Sequence, residues 1–145
     1  MELISILCLI AAACCNAVMD TLADKAHFDK SIFSKLNPEF WLKTESWDNK
    51  YIDTDGDGEG EVSAGKRFKG PLGFLNNLFD AWHIFQSAMV VFIVCAIVFF
   101  PYSFSLCISK TREWVNILGW ILLFGFTWNI TFMACYATIF QRKLS

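Results

Sequence analysis

Apolar residues in this chain gather in three long runs, not at alternating or helical spacing. Leu3 to Met19 has Ser5 and Asn16 as its polar positions and stops at Asp20. Ala81 to Phe100 is interrupted by His83, Gln86 and Ser87, and Pro101 follows. Trp114 to Phe140 holds no charged residue. A helix needs about 20 apolar residues to cross a hydrocarbon core of about 30 Å. The pattern predicts an all-α membrane protein with three transmembrane helices, over 1–22, 80–100 and 114–140. A long connection (23–79), a short loop (101–113) and a tail (141–145) complete the chain. Glu2 is the only charge before Asp20, and a secretory signal would start with basic residues. An uncleaved first span is therefore expected.

The long connection has two parts. His27 to Tyr51 interleaves Phe28, Phe33, Phe40, Trp41, Trp47 and Tyr51 with lysines. Trp and Tyr rings and long cationic side chains suit the headgroup zone, so this stretch reads as an interfacial loop with one or two short helices. Asn37-Pro38 breaks any helix begun after Ser31. Residues 53–65 are rich in Gly and acids and read as an acidic turn. Pro71 offers a first-turn position for a helix leading into the second span.

Composition narrows the functional classes. The chain is 55% hydrophobic and 18% charged with a net charge of −2, and Lys and Arg form no dense cluster. Nucleic acid is thereby excluded as a partner, since phosphate binding needs such a cluster. The lipid bilayer is the expected surrounding, with a membrane-protein partner or a second copy as the interaction class. Eight of the 12 Lys and Arg lie in the long connection, two in the short loop and two in the tail. The positive-inside rule then places the long loop and C-terminus in the cytoplasm and the N-terminus outside. None of the six cysteines falls in the long polar connection, so no disulfide framework of a secreted domain is indicated. They read as small packing side chains.

Polar residues near the apolar runs fall on helical stripes. If the first helix continues past the membrane, Asn16, Asp20, Asp24 and His27 share one face. Asn76, Asp80, His83 and Ser87 do so on the second, and Thr127, Thr131, Cys135 and Thr138 on the third. Three spans bring the end of the first, the start of the second and the end of the third to one interface. Asp20, Asp24, His27, Asp80 and His83 are thus candidate ligands for zinc or another divalent metal. Such a metal would activate water against a lipid or ester. The competing reading makes the same five residues helix caps and interfacial groups, and it is the favoured one.

Integral membrane hydrolases that hold zinc with His and Asp at helix ends, such as the alkaline ceramidases, are loosely similar in these five residues. They have more spans and more histidines. The strings Asn37-Pro38-Glu39-Phe40-Trp41, Ser46-Trp47-Asp48-Asn49-Lys50-Tyr51 and Asp80-Ala81-Trp82-His83 resemble those of small bacterial or phage-borne multi-pass membrane proteins. That resemblance implies no particular activity.

Asp53, Asp55 and Asp57 with Gly58 match the first half of a calcium loop, and Glu59 and Glu61 could add oxygens. Position 12, normally a bidentate Glu, is Ala64, so a solvated acidic turn is favoured over a weak calcium site. Asn129-Ile130-Thr131 has the glycosylation pattern but lies inside a span. The leading expectation is a structural or interaction protein of the membrane. A metal-dependent membrane enzyme and a calcium-binding adaptor are the alternatives.

Overall fold

The computed structural model describes residues 2–49, 80–104 and 113–141, all of them helical or in short connections. Helix α1 covers Glu2–Ala23, α5 covers Ala81–Phe104 and α6 covers Glu113–Met133. Each is long and apolar enough to cross a membrane, over Leu3–Ala23, Ala81–Phe100 and Ile117–Thr138. The protein is an all-α, multi-pass membrane protein, as its hydrophobic pattern predicts. The second helix runs through Pro101 to Phe104, beyond the expected end at residue 100.

Helix α1 packs against both α5 and α6. Of its most apolar stretch 39% is buried by the rest of the chain, against 6% for α5 and none for α6. Small side chains make this possible. Ala12, Ala13 and Ala17 are fully enclosed, and Ser5 donates from Oγ to the Ala96 carbonyl at 3.1 Å. Thr21 turns its hydroxyl back to the Ala17 carbonyl at 2.8 Å, which removes the donor from the apolar seam. In lipid, apolar side chains gain little by leaving the acyl chains for one another. Close backbone approach and internal hydrogen bonds hold helices together instead. The polar stripe of the first helix is not the seam: Asp20 is exposed, whereas Ala12, Ala13 and Ala17 are enclosed.

The aromatic connection folds into a cap over one end of these helices. Asp24 leaves helical geometry at φ −130°, ψ 136° and starts α2 (Lys25–Asp29) by accepting from the Ala26 and His27 amides. Ser31, fully buried, caps a 3-10 turn over Ile32–Lys35 by accepting from Phe33 N–H at 3.0 Å. Asn37 and Pro38 then start α3 (Pro38–Trp41), as the Asn-Pro break anticipates, and α4 (Lys43–Asn49) follows. Phe28 and Leu42 sink into a core with Val18, Leu22 and Ala81. Phe33 stacks on Trp41 at 5.5 Å and meets Phe140 at 5.3 Å, while Trp41 reaches Phe85 at 6.4 Å. The aromatic stretch is thus a small tertiary core that packs against α1, α5 and Phe140 at the end of the third span.

Helix α6 continues as a π-helical segment, Ala134–Phe140. Thr138 Oγ1 donates to the Ala134 carbonyl there, a back-bond of the kind that bends helices. An antiparallel bridge between Ser31 and Gln141 ties its end to the cap.

Candidate functional site

The five Asp and His residues singled out by spacing do gather at one end of the bundle, around the cap, but as two groups with different partners. Asp24 spends Oδ1 on the amides of Ala26 (2.7 Å) and His27 (3.3 Å), which makes it a helix cap. The stripe Asn16–Asp20–Asp24–His27 assumed a continuing helix. The break at Asp24 turns His27 onto a new axis, where its Nδ1 meets the Tyr136 hydroxyl at 3.3 Å. The two rings meet edge to face, centroids 5.9 Å apart, and Tyr136 stacks on Phe132 at 5.5 Å. Asp20 and Asp24 lie within electrostatic reach of that phenol.

The second group starts α5. Asp80 is 1% exposed and accepts from the His83 amide at 2.8 Å through Oδ1. Its Oδ2 lies 2.6 Å from His83 Nδ1. One carboxylate therefore caps the helix and orients the imidazole, a geometry that needs Asp and His three residues apart on a first turn. The His83 ring meets Trp82 edge to face at 5.0 Å. Lys43 on α4 lays its ammonium 3.9 Å from the Trp82 ring centroid. Lys25 and Glu45 form an exposed pair at 3.5 Å between α2 and α4.

Among the described residues no group of three or more His, Cys, Asp or Glu side chains is arranged to hold a metal ion. Asp20, Asp24, His27, Asp80 and His83 all belong to those residues, and no three of them form such a group there. The calcium candidates Asp53, Asp55, Asp57, Glu59 and Glu61, together with Pro71 and Asn76, lie outside the described residues.

Sequence reasoning missed Tyr136, the partner of His27. The Phe132/Tyr136 spacing was available as a signal, since aromatic residues four apart share a helix face. The third stripe holds only in part. Cys135 is buried, but Thr138 is exposed, because the π-helical turn shifts the register after Met133. Between α5 and α6, Phe100, Ile117, Trp120, Ile121 and Phe124 line a wholly apolar cavity of about 400 Å³. Asn129 is exposed on the same helix and donates from Nδ2 to the Gly125 carbonyl at 2.8 Å.

No protein-family model matches the chain, and no curated protein or solved structure is detectably similar to it.

Proposed function

We propose that the protein is a non-enzymatic, membrane-embedded interaction protein that docks a membrane partner along α6, with its aromatic cap and C-terminus in the cytoplasm. One observation carries this reading: no residue in the most apolar stretch of α6 is fully buried, and its exposed face, with Gly125, Phe126 and Ile130, still displays a carboxamide, Asn129. A carboxamide has two N–H donors and a two-lone-pair oxygen, and one donor is used on Gly125. Lipid tails offer nothing to the remainder, whereas a neighbouring helix does. Gly125, one turn earlier, leaves open space where a Cβ would stand, so a second backbone can approach. Photocrosslinkers at Phe126 and Ile130 should give a defined protein adduct that Asn129→Leu removes, and a crosslinker at Val91 on α5 should give lipid adducts. Lipid adducts at all three positions would refute the reading.

A metal-dependent lipid or ester hydrolase is the second reading, favoured by the Asp80–His83 contact at 2.6 Å. An imidazole oriented by a carboxylate is half of a general-base arrangement. Purified protein should then carry stoichiometric zinc or iron that His83→Ala removes. A metal-free preparation whose stability is unchanged by His83→Ala would exclude it.

A further inference from the structure

Five cysteines are described, and all five are free thiols: Cys8, Cys14, Cys15, Cys95 and Cys135. One pair is in sulfur-to-sulfur contact. Cys14 Sγ on α1 and Cys135 Sγ on the π-helical segment lie 3.0 Å apart, across 121 residues of chain. A disulfide bond is about 2.04 Å long, so closing this pair needs a movement of about 1 Å. Cys135 is 6% exposed, and Cys14 is partly accessible.

We propose that Cys14 and Cys135 form a reversible disulfide that staples the first membrane span to the end of the third. Three further observations favour this pair. First, α6 is the long helix least buried by its own chain, so a covalent tie acts where packing is thinnest. Second, the segment carrying Cys135 is already held by two contacts, Tyr136 against His27 and Phe140 against Phe33. Third, the adjacent Cys15 is itself buried and has no comparable contact among the described residues.

The step is a thiol–disulfide exchange with a lipid-soluble organic disulfide, because both sulfurs lie within membrane spans. Cys14, the more accessible thiol, loses its proton and attacks one sulfur of that disulfide. The reagent's S–S bond breaks and one reagent thiol leaves. Cys135 then loses its proton and attacks the Cys14 sulfur of the mixed disulfide, releasing the second reagent thiol. Two protein thiols are oxidised, the reagent is reduced to two thiols, and the two protons end on them.

The test uses the full chain in membranes treated with 4,4′-dithiodipyridine, then blocked with N-ethylmaleimide in denaturant and weighed intact. The intact mass should show two of the six thiols carrying neither maleimide nor a reagent half, and tandem mass spectrometry should link the Cys14 peptide to the Cys135 peptide. Reductant should restore all six, and in Cys14→Ser every remaining thiol should carry either maleimide or a reagent half. The proposal fails if all six carry maleimide or reagent after oxidation, if the linked peptides contain another cysteine, or if they come from two copies of the chain. The linkage map on the unsubstituted chain decides even if the variant does not accumulate.

Discussion

Leu42 is 1% exposed although it lies outside all three membrane spans, and its neighbours Phe28, Val18 and Leu22 close the cap around it. Truncation there leaves a cavity that large aromatic neighbours cannot readily fill. Leu42→Ala should cost about 2–5 kcal/mol, seen as a lower thermal midpoint in detergent, while Ile32→Ala on the exposed surface should cost far less. Asp80 makes a different kind of demand, because one carboxylate both caps α5 and holds His83. Asp80→Asn keeps an oxygen for the His83 amide, whereas Asp80→Ala loses the cap as well, worth about 1 kcal/mol. Thermal midpoints should therefore fall in the order wild type, Asp80→Asn, Asp80→Ala. If Asn and Ala were equally damaging, the cap would not be the source of the stability. Neither the enclosure of Leu42 nor the pairing of His27 with Tyr136 could be read from spacing. Both depend on where a short helix turns after Asp24, a choice made by one φ/ψ pair.

At the scale of elements, the packing around α1 rests mainly on residues that are small. Ala13 and Ala17 are wholly enclosed, and the Ser5 hydroxyl reaches an α5 carbonyl. Enlarging either alanine to leucine must push apart whatever encloses it. Overpacking of this kind costs about 1–3 kcal/mol. Ala13→Leu and Ala17→Leu should each lower the thermal midpoint and broaden the size-exclusion peak, while Leu7→Ala, on a surface 52% exposed, should do neither. The three spans themselves were legible because hydrocarbon thickness fixes a length, and uninterrupted apolar runs reveal it directly. The cap was legible in composition but not in position. Phe33, Trp41 and Phe140 look the same in a sequence whether they float among headgroups or close a core. Long-range packing alone separates the two outcomes, and it also moved Thr138 off its expected stripe through the π-helical turn.

At the scale of the whole molecule, orientation follows from two independent constraints that one experiment can separate. Geometry puts the cap and the end of the third span on one side, since Ser31 bridges Gln141 and Phe33 meets Phe140. Charge then chooses which side. Ten of the 12 Lys and Arg belong to the long connection and the tail, so the side they share should face the cytoplasm. Lys35→Cys introduces an exposed thiol on the cap, and Gln141→Cys marks the end of the third span. A membrane-impermeant maleimide should label both, above the background of the unsubstituted chain, only in inside-out vesicles. A protease-sensitive tag fused before Met1 should be cut only from the outer face. Labelling of both cysteines from outside would reverse the charge argument and leave the fold standing, because cap and third span would still share a side. Labelling of the two from opposite sides would break the cap itself, and with it the alignment that brings Tyr136 to His27 and Cys135 to Cys14.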